Sequence, residues 1–250
     1  MASLAGRDLI SIADLTREEF VGVLDLADRL KAGTPSGEPL AGMNLAMIFQ
    51  RPSNRTRVSM EVAIRRLGGN PIPLFNAEIQ IGERESTTDI SRILDRYVDG
   101  IVARLVFHRD LVALAEAARG PVVNAMTDAE HPCQILADCL TVRELLGRLE
   151  GARVCYVGDG NNVCHSLMLT GAQLGANVTV ATPRGYSPDI EIVTLARDIA
   201  QANGCEVRLL QDPQAAVEEA DAVYTDVCVS MGMEHESTKR APIFRPFQVN

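Results

Sequence analysis

The chain has 250 residues, 46% of them apolar and 23% charged, with a net charge of −9. That length holds one large domain or two of ordinary size, and the composition is that of a soluble globular protein. An acidic chain with no apolar run near the ~20 residues of a bilayer span excludes a broad nucleic-acid-binding face and a membrane segment.

The N-terminus, Met1-Ala2-Ser3-Leu4-Ala5-Gly6-Arg7-Asp8, has neither an apolar signal core nor an Arg- and Ser-rich transit segment. Six cysteines (Cys133, Cys139, Cys155, Cys164, Cys205 and Cys228) lack CxxC or His-linked zinc spacing. They are expected to be reduced, buried small hydrophobes in a cytoplasmic protein that binds no metal.

Helix-like and strand-like segments alternate almost throughout. Thr16-Arg17-Glu18-Glu19 is a capping box that predicts a helix to about Leu30, with Phe20, Val23, Leu24 and Leu30 inward. Strands are predicted over 45–50, 70–75, 98–106 and 121–126, with helices over 53–67, 86–97 and 109–118 between them. In the helix over 53–67, Val58, Val62, Ile64 and Leu67 are read as the inner face. A long helix is expected over 132–149, from the spacing of Ile135, Leu136, Leu140, Leu145 and Leu146. The pattern then repeats: strand 153–157, helix 162–174, strand 177–180, helix 188–203, strand 206–210, helix 212–220 and strand 222–226. Residues 231–246 are polar and weakly periodic, and are read as a mobile loop. The expected fold class is therefore α/β: two doubly wound parallel-sheet domains, over 1–131 and 150–250, joined by a long bridging helix over 132–149. In such folds ligands collect at the carboxyl ends of the strands.

Residues 51–61, Arg-Pro-Ser-Asn-Arg-Thr-Arg-Val-Ser-Met-Glu, follow an apolar strand and open a helix. With Ser53 as N-cap, Arg55 and Arg57 fall in the first turn, where the helix dipole disfavours cations. Two guanidiniums, hydroxyls and free backbone N–H groups converging there suit a bound anion, and phosphate is the natural one. Residues 51–66 hold five arginines and one acid, Glu61. A solvated basic turn is the plainer alternative.

Asp128-Ala129-Glu130-His131-Pro132-Cys133-Gln134 joins a strand end to the long helix. His131 precedes a proline and so is extended, which lets it share a space with Gln134 one turn on. Arg104 ends a strand otherwise built for burial, where a cation is costly without an anionic partner. A structural ion pair is the competing account. Gly158-Asp159-Gly160-Asn161-Asn162 follows a strand and opens a helix, but it lacks the third glycine of a dinucleotide fingerprint and the next strand ends without a ribose-binding acid. Asp226-Val227-Cys228-Val229-Ser230-Met231-Gly232 sets a carboxylate at a strand end before a Ser-Met-Gly turn, suited to an ammonium group.

Together, Phe49 to Glu61, His131-Pro132-Cys133-Gln134, Gly158 to Ser166 and Asp226 to Gly232 resemble the aspartate/ornithine carbamoyltransferase family, and within it the ornithine branch. The resemblance runs from about Gly6 to Asn250. It implies that Ser53, Asn54, Arg55 and Thr56 bind the phosphate of carbamoyl phosphate, with Arg57 supporting the loop. Arg104 would bridge phosphate and carbonyl oxygen, His131 would reach that oxygen, and Gln134 the carbamoyl amino group. Gln80 matches a residue that reaches a neighbouring subunit's site, which implies a homotrimer. Asn162, Asp226, Ser230 and Met231 would hold the amino-acid end of L-ornithine. Arg104, His131, Arg55 and Thr56 would be the catalytic groups, with no cofactor. Two departures stand out: Asn54 occupies a position where the family usually has Thr, and the family's His-Cys-Leu-Pro motif, a later arginine and a closing helix lie beyond Asn250. Three alternatives stay open: transfer to another amine such as putrescine or a modified ornithine, with Asp226 and Ser-Met-Gly arguing against putrescine; a nicotinamide-dependent oxidoreductase built on Gly158-Asp159-Gly160; and a non-catalytic binding or assembly subunit.

Overall fold

A computed structural model describes residues 4–82, 84–228 and 236–250. The chain divides into two compact units, Met1–Leu136 and Ala137–Asn250.

In the first unit, β1 (Asn44–Phe49), β2 (Asn70–Phe75), β3 (Gly100–Arg104) and β4 (Val122–Met126) form one parallel sheet in the order β2-β1-β3-β4. Pro71 and Pro73 sit in β2, an edge strand, where a missing N–H costs the ladder least. Alternation along the strands separates two cores. Ala46, Ile48, Ile101 and Ala103 face α4 (Thr87–Leu94) and α5 (His108–Ala117) through Ile90, Leu111 and Leu114. Met47, Phe49, Val102 and Ala125 face Ile64 of α2 (Asn54–Arg66). Helices thus cover both faces of the sheet. The segment from Leu9 runs beside β4, held by a bridge to Val123 and by the Asn124 side chain donating to the Ile10 carbonyl at 2.8 Å.

The second unit repeats the plan. β5 (Arg153–Val157), β6 (Asn177–Ala181), β7 (Val207–Leu210) and β8 (Ala222–Thr225) pair in parallel in the order β7-β6-β5-β8. Its helices are α7 (Asn162–Leu174), α8 (Ile190–Ala202), α9 (Pro213–Val217) and α10 (Ser237–Phe244). The first unit also holds α1 (Arg17–Lys31), capped by Thr16 and Glu19 as the sequence predicts, and the single turn α3 (Asn76–Ile79).

Several expectations are corrected. The helix expected over 132–149 is α6 (Pro132–Leu146), because Gly147 takes a left-handed φ of 72° that ends it. The helix at 212–220 stops at Val217. On α1, Phe20 and Leu24 are buried but Leu30 is exposed. On α2 the buried residue is Ile64, whereas Val58 and Val62 are 50% and 43% exposed. Positions 60 and 64, one turn apart, pack onto the sheet, and 58 and 62 fall on another face. Val58 and Val62 instead line an open groove of about 1030 Å³ with Leu30 and Pro35. Of the stretch read as a mobile loop, residues 237–244 form α10 and Arg245–Phe247 a 3-10 turn. Buried Phe244 and Arg240 hold it down. Among the described residues, no helix is long and apolar enough to cross a membrane.

Candidate active site

Strand order fixes where ligands can enter. In the first sheet β2 lies to one side of β1 and β3 to the other, so the chain reverses its winding direction between β1 and β3. In the second, the same reversal falls between β5 and β8. Crevices open at the carboxyl ends of the strands at such points. Residues 51–57 and Arg104 lie at the first of these places, and residues 158–162 and Asp226 at the second.

At the first crevice, Phe49 and Arg104 are register partners at the ends of β1 and β3. The Arg104 side chain shares the face of Val102, which is the face covered by α2. Gln50 ties the strand ends together: its backbone N–H donates to the Arg104 carbonyl at 2.9 Å, and its side chain accepts from the Val106 N–H at 2.7 Å. Ser53 takes the N-cap position of α2 with extended backbone, yet its hydroxyl makes no capping hydrogen bond. No acid lies in the first turn. The N–H groups that begin a helix are therefore left for a ligand there.

Arg104 donates from Nη1 to the Thr56 hydroxyl at 3.3 Å, and its buried Nε has no hydrogen-bond partner among the described residues. Burial, then the nearby charge of Arg55, lowers its pKa below the ordinary arginine value. Burial, then the charge of Arg104, pushes the His131 pKa down to about 4. The imidazole is thus neutral at pH 7. Thr56, Arg55 and His131 thus each lie close to Arg104. Gln134 lies in the first turn of α6, exposed, its N–H donating to the His131 carbonyl at 3.1 Å. Arg57 lies over the Phe75 ring at 5.9 Å, and Phe75 stacks on Phe49, so this guanidinium braces the loop. Asn54 is exposed at the start of α2. Gln80 is exposed at the C-cap of α3 with φ 48°, and no described hydrogen bond links it to these residues.

At the second crevice, Val157 and Thr225 are register partners, and Gly158 and Asp226 follow them. Asn161 caps α7 and donates from Nδ2 to Asp226 Oδ2 at 2.9 Å. Asn162, the residue named from sequence, begins α7, its Oδ1 accepting from the Val163 N–H at 3.0 Å. Ser230 and Met231 lie outside the described residues. Asp159 is taken up by Arg240 of α10, at 2.5 Å with both side chains largely buried. A Cβ on Gly160 would lie 2.2 Å from the Pro188 nitrogen. This glycine therefore admits the protein's own backbone, and the space a pyrophosphate needs is filled.

Two matches bear on this arrangement. A family model for the carbamoyl-P binding domain of aspartate/ornithine carbamoyltransferase covers residues 7–144, and one for the Asp/Orn binding domain covers 150–250. The chain belongs to the aspartate/ornithine carbamoyltransferase family. A Thermococcus kodakarensis protein named ornithine carbamoyltransferase is 49% identical, spanning 100% of this chain and 80% of its own length. An Anoxybacillus flavithermus relative of the same name is 46% identical, over 99% and 80%. The solved Pyrococcus furiosus ornithine carbamoyltransferase superposes with a TM-score of 0.95 at 49% identity, covering 100% of this chain and 81% of that one. This member of the carbamoyltransferase family thus spans about four fifths of those relatives, with the same pair of parallel-sheet α/β domains.

Sequence reasoning passed over two residues of this carbamoyltransferase's second crevice. In the sequence Asn161 and Asn162 suit a polar small molecule equally; only the place just before the helix, as N-cap, marks Asn161 out. Arg240 lay in the stretch read as a loop, and its spacing of four from Glu236 was the available signal.

Proposed function

We propose that this chain transfers the carbamoyl group of carbamoyl phosphate to the δ-amine of L-ornithine, giving L-citrulline and phosphate. Within a carbamoyltransferase family member, the observation that carries this reading is Arg104. It is a buried cation beside Arg55, with an unsatisfied Nε–H, at the open N-terminus of α2. Such a group calls for an anion.

In the proposed mechanism, Ser53, Asn54, Arg55, Thr56 and the first N–H groups of α2 hold the phosphate. Thr56, Arg104 and His131 polarise the carbamoyl carbonyl, and Gln134 holds its amino group. The neutral δ-nitrogen attacks the carbamoyl carbon and forms a C–N bond. The bond from carbon to the phosphate oxygen then breaks, and phosphate departs with the pair of electrons. The proton lost from nitrogen goes to that phosphate, so no protein base is needed. Arg55 and Arg104 neutralise the growing charge, as an oxyanion hole does. His131, held neutral, serves as an N–H donor and keeps a third positive charge from competing with them. The rest of the rate comes from holding two small substrates in line. Asn162, Asp226, Ser230 and Met231 hold the amino-acid end of ornithine.

The reading extends to the assembly: a cytoplasmic homotrimer in which Gln80 completes a neighbouring subunit's site. Residues 1–131 form the carbamoyl-phosphate half and 150–250 the ornithine half, with 132–149 joining them. The decisive experiment measures citrulline formed from carbamoyl phosphate and ornithine, beside parallel reactions with putrescine and acetylornithine. Ureido product from ornithine alone is the expected result. Equal or faster reaction of putrescine would overturn the choice of acceptor.

A further inference from the structure

We infer that Asn161 is a positioning residue for the acceptor amino acid, acting by fixing the carboxylate of Asp226. The inference rests on the proposed role of Asp226 in holding ornithine.

The geometry leaves the Asn161 amide one orientation. Its Oδ1 accepts from the Val163 N–H at 3.0 Å, the Cys164 N–H at 3.1 Å and the Tyr156 hydroxyl at 3.3 Å. The two backbone groups are obligate donors, so a flipped amide would set N–H against N–H. The oxygen must face the helix, and the Nδ2 is thereby turned on Asp226 Oδ2 at 2.9 Å. The loop carrying the amide is itself held on every side. Gly160 packs against the Ser187-Pro188 backbone and donates to the Tyr186 carbonyl at 2.9 Å, and the Asn161 carbonyl accepts the first bond of α7 from His165 at 2.9 Å. Asp159, two residues earlier, is locked to Arg240.

Asp226 approaches from the other strand. It follows β8, whose Thr225 is in register with Val157 and donates its hydroxyl to the Val157 carbonyl at 2.8 Å. One carboxylate oxygen is thus spoken for by Asn161. The other, Oδ1, has no hydrogen bond among the described residues and is the one left for an ammonium group. This explains why the N-cap is Asn. Asp caps a helix as well but has no donor. A Ser or Thr hydroxyl carries acceptor and donor on one oxygen of shorter reach, whereas the Asn amide places its acceptor on the helix and its donor on a separate atom directed at the carboxylate.

The test uses that difference. Asn161→Asp and Asn161→Ser both keep a capping oxygen, so melting temperature should stay within about 4 °C of the parent. Both lose the amide nitrogen that reaches Asp226: Asn161→Asp replaces it with a repelling charge, and Asn161→Ser leaves only a shorter hydroxyl seated at the helix cap. KM for ornithine should rise about tenfold or more, most for Asn161→Asp, the scale of one charge-assisted hydrogen bond. KM for carbamoyl phosphate should stay within about twofold. Asp226→Asn is measured alongside. If it raises KM for ornithine while both Asn161 variants leave it unchanged, Asp226 is held by other means and the inference fails alone. If Asp226→Asn leaves KM for ornithine unchanged, the role given to Asp226 fails and the inference falls with it. A common rise in both KM values with a lowered melting temperature would make Asn161 a structural cap only, which also overturns the inference.

Discussion

Arg104 brings a guanidinium to the end of a buried strand with its Nε–H unsatisfied, an arrangement that costs stability unless a ligand completes it. Replacing Arg104 with Ala should therefore leave the melting temperature near or slightly above the parent, and lower kcat by about 10²-fold or more. Turnover near the parent's would make Arg104 an ordinary structural cation. His131 supports a prediction about pH. Its folded pKa of about 4 lies below the usual value of 6.5, so between those two values the unfolded chain binds a proton that the folded chain does not. Stability then increases with pH across that window and is lost as pH falls through it. The urea midpoint should drop between pH 6.5 and pH 4.5, and His131→Gln should flatten the drop. The flattening should be partial, because burial also lowers the pKa of His108.

At the scale of elements, α2 has one face on the sheet and another on an open groove. Ile64→Ala should cost about 2–4 kcal/mol, because the buried side chain leaves a cavity against Met47 and Phe49. Val58→Ala and Val62→Ala should cost under about 1 kcal/mol, since both side chains are about half exposed already. Equal losses at all three positions would show that the groove is covered in solution. For α10, the buried pair of Arg240 and Asp159 is what binds the helix to the loop after β5. Burial works against the charge on Arg240, but the hydrogen bonds it donates to Glu236 and Asp159 outweigh burial and raise its pKa. Arg240→Met should destabilise the protein by about 3 kcal/mol because it strands a buried carboxylate. Adding Asp159→Asn should recover part of that loss. A fully additive double variant would show that the two groups do not interact.

At the scale of the whole molecule, the proposed shared site makes a prediction that a monomer cannot meet. Arg55→Ala chains and Gln80→Ala chains, each inactive or weak alone, should regain activity when mixed and reassembled. Some sites then receive an intact Arg55 from one chain and an intact Gln80 from another. No rescue on mixing, or sedimentation as a monomer, would count against shared sites. Gln80 itself is exposed in a left-handed conformation that is uncommon for a residue with a side chain. That fits a position held for an external contact.

The alternation of strands and helices, the parallel sheets and the places where polar motifs fall were all legible in the sequence. The reason is that these signals are local. Apolar periodicity marks each element, and Ser53 to Arg57, Arg104, His131 and Asp226 stand out as polar groups at the ends of apolar strands. Tertiary structure alone decided the pairings between distant elements. Periodicity shows that α2 has apolar positions, but the neighbouring sheet decides that Ile64 faces inward and Val58 does not. Two adjacent asparagines look alike in sequence, yet the start of α7 and the end of β8 select Asn161 for Asp226. Arg240 sits in a polar stretch and becomes structural only because Asp159, 81 positions earlier, is brought beside it. A buried charge finds its partner through the fold, and no local pattern records that meeting.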